Sequence, residues 1–308
     1  MPPINVQGKF AIITGAGSGI NLCFARLLLS KGCSVLIADL SLTPPAEPLL
    51  TATHPHGARC LFKPTDVTIF SQLESLFPFA ISSGLGVPDI VVPGAGIFEP
   101  EWSSFYHGDP VGEAESRYRT IDVNLVHPIK LTRLAISEFL KAKKPEAAVI
   151  HCSSIAGQVG KLGTPIYSAT KFGISGFVRS MAELEGAFNI RISAVAPGII
   201  KTPLWEKNPE KLVMFVEGKD EWIEPEEVAE AMLRLVEDAE LPGGTVLEVA
   251  KDNQRVVAYF NDPGPREAVR KGTKGLSLGR GQEFDFKMLN VLAKERGDTV
   301  PVEVKKQH

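Results

Sequence analysis

A short apolar run, Phe10-Ala11-Ile12-Ile13, leads directly into Thr14-Gly15-Ala16-Gly17-Ser18-Gly19-Ile20, and a helical apolar pattern follows. The run contains β-branched residues and lies between Gly8 and Gly15, which reads as a buried strand. Leu22, Phe24, Ala25, Leu27, Leu28 and Leu29 mark the helix, which ends near Gly32. Strand, glycine turn and helix in this order narrow the fold to an open α/β sheet. Glycines let the backbone approach a pyrophosphate, and the helix start offers unpaired N–H groups and a positive dipole. The expectation is a dinucleotide site at Gly15, Gly17, Ser18, Gly19 and Ile20. A tight turn between packed elements is the plainer alternative for glycines alone.

Ser34-Val35-Leu36-Ile37-Ala38 reads as the next strand, with Asp39 at its end. A carboxylate there accepts from adenosine ribose hydroxyls and repels a 2′-phosphate, which favours NAD. Tyr167 and Lys171 stand four residues apart, on one face of a helix. A phenol titrates near ~10, and a neighbouring ammonium lowers that value, so the pair makes a general base. Asn124 lies in a helical stretch read over 113–143. Pro128, four residues on, has no N–H to donate to the Asn124 carbonyl and bends the helix. The freed carbonyl needs another partner, and a water suits it.

In order along the chain stand Thr14-Gly15-x-x-x-Gly19, Asp39, Asp66-Val67, Gly94-Ala95-Gly96, Asn124, Ser153-Ser154, Tyr167-x-x-x-Lys171 and Pro197-Gly198-Ile199 with Thr202-Pro203. This series resembles the short-chain dehydrogenase/reductase family over nearly all of residues 5–260. Asp39, the GIFEPEW run and the late LPGGTVLEVAKDN segment look most like the 15-hydroxyprostaglandin dehydrogenase-like branch, which includes alcohol dehydrogenases of secondary metabolism. The resemblance implies Tyr167 as acid/base and Lys171 as its partner and a holder of the nicotinamide ribose. It implies Ser154 as the hydrogen-bond donor to the substrate oxygen, and Asn124 as the holder of a water linking Lys171 to solvent. It adds cofactor contacts at Asp66, Val67, Gly94, Ala95, Gly96, Pro197, Gly198, Ile199 and Thr202. Two positions depart from the family pattern. Asn21 stands where the family has its third glycine, which implies a wider spacing of helix and sheet. Gly94-Ala95-Gly96 replaces Asn-Ala-Gly, which removes an asparagine that supports the central strands.

Further strands are expected near 58–63, 89–93, 147–153, 190–196 and 245–249, and helices near 68–82, 164–187 and 225–238. The Pro-rich stretch 43–55 argues against a long second helix. The fold class is therefore α/β: a doubly wound, seven-stranded parallel sheet of Rossmann type with helices on both faces. One domain spans 5–260, and 261–308 form a C-terminal extension, richer in basic than acidic residues, that includes a possible short docking helix around Phe284–Leu292. Hydrophobic residues make up 44% of the chain and the net charge is −3, so a core is available and nothing suggests a nucleic-acid partner. No apolar run approaches a membrane span, and no secretory signal is evident at the N-terminus. Cys23, Cys33, Cys60 and Cys152 lack pairing motifs, which suits reduced thiols and a cytoplasmic location, and the histidines form no metal-ligand cluster.

Phe98, Trp102, Phe105 and Tyr106, with Leu204, Trp205, Val213, Met214, Phe215 and Trp222, form two aromatic-rich segments expected at one sheet edge, where they would wall an apolar pocket. Lys201 and Lys207 are candidate anchors for a charged substrate group. The function that follows is NAD-dependent hydride transfer between a bulky apolar secondary alcohol, or its ketone, and the nicotinamide. A carbonyl reductase is the nearest alternative, and a non-redox isomerase, cyclase or dehydratase on the same fold is the next. The family resemblance implies a homodimer or homotetramer through the helices near 113–143 and 164–187.

Overall fold

The structure, a computed structural model, describes residues 4–107, 118–218 and 220–258. The extension at 261–308, with its expected docking helix, and the start of the helix expected over 113–143 lie outside the described residues. Among the described residues eight strands form one sheet: β1 (Phe10–Thr14), β2 (Ser34–Asp39), β3 (Cys60–Pro64), β4 (Ile90–Pro93), β5 (Ala147–Cys152), β6 (Ile190–Pro197), β7 (Val246–Ala250) and β8 (Asn253–Val256). Their order is β3-β2-β1-β4-β5-β6-β7-β8. The first seven are parallel, as the sequence pattern implies, and β8 adds an antiparallel edge by pairing with β7. β8 escapes a periodicity reading because Asn253-Gln254-Arg255-Val256 is an edge strand with mostly polar side chains.

The helices are α1 (Gly19–Ser30), α2 (Phe70–Glu74), α3 (Leu76–Ser82), α4 (Arg119–Ile121), α5 (His127–Lys141), α6 (Pro165–Ser180), α7 (Glu183–Phe188), α8 (Pro203–Glu206) and α9 (Pro225–Glu237). The stretch 43–55 holds only two short 3-10 turns, Glu47–Leu50 and Pro55–Gly57. The helix expected over 68–82 is broken after Glu74, because Pro78 has no N–H for the Glu74 carbonyl and its ring crowds that oxygen. The same chemistry acts before Pro128. There the chain widens into a π-helical turn over Asp122–Val126, in which the His127 N–H donates to the Asp122 carbonyl. The expected bend is thus a widened turn, a form often found at functional sites. The helix expected over 164–187 divides into α6 and α7 beside Ala182, against which Gly244 packs.

Alternation along the strands sends side chains to two cores. Phe10, Ile12, Leu36 and Val91 face α3, α5 and α6, where Phe77, Leu131, Phe139, Ile174 and Val178 are buried. Ala11, Ile13, Val35 and Ile37 face α1 and α9, with Phe24, Leu28, Met232 and Leu235. Each fully buried large apolar side chain contributes roughly 1.5–3 kcal/mol. Arg191 is the exception within β6. It is wholly buried, pairs with Glu185 at 2.9 Å and donates to the carbonyls of Leu235, Val236 and Asp238 at the end of α9. Sheet order reverses between β1 and β4, so a crevice opens at the C-terminal ends of these strands. No helix among the described residues is long and apolar enough to cross a membrane.

Candidate active site

The turn after β1 is shaped by close contacts. Gly15 has φ +72°, and a Cβ there would lie 2.6 Å from the Ala95 Cα. At Gly17 a Cβ would overlap the Ser41 carbonyl. That second glycine thus lets the turn lie against the loop after β2. The Gly17 N–H donates to Asp39 Oδ2 at 2.8 Å, and Leu40 N–H donates to Oδ1 at 2.7 Å. Thr43 Oγ1 donates to the Gly17 carbonyl at 2.6 Å. Asp39 is therefore oriented by the glycine turn itself. The turn of α1 following it has no acidic residue, and Ser18 makes no side-chain cap, so the helix dipole and its N–H groups face the crevice unopposed.

One cleft with a volume of about 570 Å³ contains nearly every residue the sequence singled out. Gly15, Ser18, Gly19, Ile20, Asp39, Asp66, Val67, Gly94, Ala95 and Gly96 line it, with Pro197, Gly198, Ile199 and Thr202. Ser154, Tyr167 and Lys171 line it as well. Gly17 and Asn124 are not among its lining residues. Asn124 is buried, its Nδ2 donating to the Ile97 carbonyl at 2.8 Å and its Oδ1 accepting from Ile97 N–H at 2.9 Å. The asparagine side chain thus fixes the loop after β4. A glycine cradle at a helix start, a strand-end carboxylate and a cleft long enough to join them to Tyr167 fit a nicotinamide dinucleotide.

At the end near Asp39, Arg119 joins the wall, and the sequence reading did not find it. It donates to Thr68 Oγ1 at 2.6 Å and lies 3.9 Å from Asp66. Burial would raise the Asp66 carboxyl, but the Thr68 hydroxyl and N–H and the Arg119 charge hold it below the usual carboxylate range. Arg119 had no local signal, since only the fold brings it beside residue 66.

Tyr167 lies on the first turns of α6 beside Ser154, whose Oγ accepts from Ala156 N–H at 3.1 Å and donates to the Pro197 carbonyl at 3.5 Å. Lys171 is buried on the same helix; its Nζ donates to the Cys152 carbonyl at 2.7 Å and lies 5.3 Å from the Tyr167 ring centroid. The expected lowering of the phenol pKa by Lys171 is not found in the protein alone. Burial pushes Tyr167 up to about 12, with the neighbouring Ser154 hydroxyl acting against it, and burial pushes Lys171 down to about 8. The Lys171 ammonium is turned to a backbone carbonyl rather than to the phenol oxygen.

The aromatic segments divide. Phe98, Trp102, Leu204, Trp205 and Met214 line the cleft, whereas Phe105 and Phe215 do not. Phe105 is exposed and packs on Tyr106, and Phe215 stacks on Trp222 at 4.5 Å, in a layer behind Trp205. Phe98 meets Tyr167 edge-on at 4.7 Å and Trp205 at 5.5 Å. Lys207 and Lys161 line the cleft, and Lys201 is not among its lining residues.

The two departures from the family pattern occupy one another's space. Asn21 Nδ2 donates to the Gly94 carbonyl at 2.9 Å, and its Oδ1 accepts from Cys152 Sγ at 3.6 Å. A side chain at Gly94 would overlap the Asn21 amide. The amide has moved from the strand end to the helix, so β4 and β5 keep a polar support and the expected gap is filled. Gly94→Asn alone should cost about 1–3 kcal/mol through overpacking, a fall of a few degrees in melting temperature. The exchange Asn21→Gly with Gly94→Asn should recover most of it. Thermal melts of the four proteins check this; additive losses in the double variant would refute the exchange.

Residues 9–212 match the family described as short chain dehydrogenase. A cis-4-hydroxycyclohexanecarboxylate dehydrogenase of Sinomonas cyclohexanicum is 33% identical over 236 residues, covering 75% of this chain and 90% of that protein. Human 15-hydroxyprostaglandin dehydrogenase [NAD(+)] is 30% identical over 256 residues, covering 78% and 90%. Among solved structures, a 4-hydroxyisoleucine dehydrogenase complexed with NADH shares the fold, with a TM-score of 0.66, 23% identity and coverage of 79% of this chain and 97% of that one.

Proposed function

Because the chain belongs to the short chain dehydrogenase family and is an NAD-dependent dehydrogenase like its relatives, we propose that it oxidises a bulky, mostly apolar secondary alcohol at Tyr167. The observation that carries this reading is the surroundings of the phenol. Its hydroxyl lies beside Ser154, which counters the upward push of burial on the phenol, and its ring is walled by Phe98 with Trp205 beyond. When bound, the nicotinamide supplies the acceptor for the hydride that leaves the carbinol carbon. Ser154 holds the substrate oxygen. Tyr167 as phenolate takes the hydroxyl proton, and Lys171 holds the nicotinamide ribose. The Asn124 carbonyl, opposite the N–H that Pro128 lacks, is the proposed seat of a water that passes the proton outward from Lys171. Asp39 and the Gly15–Ile20 turn hold the adenosine and pyrophosphate, with Asp66 and Val67 beside the adenine.

Ketone reduction is the second reading. With the phenol raised to about 12, its neutral, proton-donating form prevails near neutral pH in the protein alone. The branch around 15-hydroxyprostaglandin dehydrogenase, with its secondary-metabolite alcohols, is the placement the apolar wall supports. Exposed Ile129 on α5 and Phe172 on α6 support a homodimer or homotetramer through these helices. Four free cysteines support a cytoplasmic location.

The test follows NADH absorbance over a panel of secondary alcohols. Aromatic and lipophilic alcohols should give higher kcat/KM than short polar ones. Trp205→Ala should raise KM roughly tenfold, about 1.4 kcal/mol, and change kcat less. A sugar or small hydroxy acid as best substrate, with Trp205→Ala silent, would overturn the reading.

A further inference from the structure

The GIFEPEW segment contains a glutamate that no part of the chemistry above uses. Glu99 is 3% exposed and has φ +43°, a left-handed conformation uncommon for a residue with a side chain. Its carboxylate points away from solvent. Oε2 accepts from the backbone N–H of Tyr167 at 2.7 Å, and Oε1 accepts from Phe105 N–H at 3.2 Å. The Ile166 N–H lies near the same carboxylate and favours its charged form. The N–H groups of Ile166 and Tyr167 are orphan donors at the start of α6. Thr164 stands at the cap position but makes no side-chain cap, and Pro165 has no N–H. Glu99 therefore caps the catalytic helix from a different loop, at the amide of the reacting residue.

The same corner is gripped from the other side. Lys211 lies in the 3-10 segment Pro209–Met214, is 2% exposed, and donates from Nζ to the carbonyls of both Phe98 and Glu99, the latter at 2.6 Å. The left-handed turn at Glu99 is what brings two successive carbonyls to one ammonium. Nζ also lies 4.6 Å from the Phe98 ring centroid. Around Lys211, Leu204, Trp205, Asn208 and Met214 form the outer wall of the substrate end of the cleft. Burial raises the Glu99 carboxyl, while the three N–H groups and Lys211 oppose it. Burial likewise pushes Lys211 down to about 8, with Glu210, Glu99 and Glu101 opposing.

We propose that Glu99 and Lys211 are positioning residues of the reaction: Lys211 holds the Phe98–Glu99 corner, Glu99 holds the amide of Tyr167, and the outer wall of the substrate site is thereby coupled to the placement of the phenol. The coupling runs through a continuous set of contacts. Trp205 touches Phe98, Phe98 touches the Tyr167 ring, and Glu99 bonds the Tyr167 backbone. A substrate that settles the outer wall also settles the base. The inference rests on Tyr167 being the acid/base.

Glu99→Gln keeps the shape but turns one acceptor into a donor facing an N–H group. Lys211→Met keeps the stem and removes the grip. Amide hydrogen exchange, NAD dissociation constants and steady-state kinetics on the best alcohol of the panel are measured for both variants and the double. In Glu99→Gln the Ile166 and Tyr167 amides should exchange at least tenfold faster. Its kcat should fall about tenfold with NAD affinity within threefold of wild type, a split that a general loss of structure would not give. Lys211→Met should lower kcat and raise KM for the alcohol. The double variant should lose no more kcat than the worse single, because both act on one corner. Unchanged exchange at Tyr167 in Glu99→Gln, wild-type kcat in Lys211→Met, or losses that multiply in the double would each overturn the proposal. If Glu99→Gln does not fold, Lys211→Met carries the test alone by the same criterion. Accelerated exchange in a protein whose wild type oxidises no alcohol with NAD would support the link and overturn the functional reading instead.

Discussion

Tyr167→Phe should lower kcat by roughly 10²–10⁴, the range that a lost general acid/base gives, while NAD binds as before. The hydroxyl is the only group removed, and the ring keeps its edge contact with Phe98. The pH dependence should change with it. Oxidation needs the phenolate, so wild-type kcat for the alcohol should rise with pH on the acid side of the phenol's titration in the ternary complex. Ketone reduction needs the protonated phenol and should fall over the same range. In the protein alone the phenol stands near 12 and Lys171 near 8; a bound oxidised nicotinamide brings positive charge that favours phenolate. Stopped-flow measurements of the hydride step across pH, with NAD saturating, check both parts. Retention of more than about a tenth of the wild-type rate in Tyr167→Phe would remove Tyr167 from the mechanism.

Asp39→Ala should weaken NAD binding by roughly 10–100-fold, from about 1.5–3 kcal/mol for hydrogen bonds to a charged acceptor. The carboxylate has about four acceptor positions. Two are filled by Gly17 and Leu40 N–H groups, which leaves the others for ribose hydroxyls. Removing it loses the ribose contacts and also loosens the glycine turn. NADP should suffer less, because the repulsion of its 2′-phosphate disappears at the same time. No arginine follows to hold that phosphate, since the next residues are Leu40, Ser41 and Leu42. Titrations of both cofactors against wild type and variant decide this. Tighter binding of NADP than of NAD by the wild type would refute the assignment.

Much of the site was legible from local chemistry. The strand, glycine turn and helix at 10–30 depend on neighbours in the chain, and so does the shared face of Tyr167 and Lys171. Pro128 acts on the carbonyl four residues back, so the bend there was expected, although its form, a π turn, needed its surroundings; Pro78 acts in the same way, but the sequence pattern read one helix across it. The continuous apolar runs in β1 and β2 likewise marked buried strands, and the structure covers both of their faces. Composition could mark aromatic segments, but not which rings face the cleft. Phe98 and Phe105 look alike in the chain, yet Phe98 lines the cleft and Phe105 is exposed.

What tertiary structure alone decided is the set of polar contacts between distant segments. Asn21 reaches Gly94 across 73 residues, Glu99 reaches Tyr167 across 68, and Lys211 reaches the Glu99 carbonyl across 112. Arg191, the one charged side chain in β6, finds the carbonyls ending α9 in the same way. Such groups have no periodic signature. A buried amide, carboxylate or ammonium is tolerated only where unmet backbone groups happen to converge, and where they converge is set by how the strands are ordered and the loops cross. The chain by itself determined which residues could do the chemistry and on which elements they sit. The folded sheet decided what holds them still.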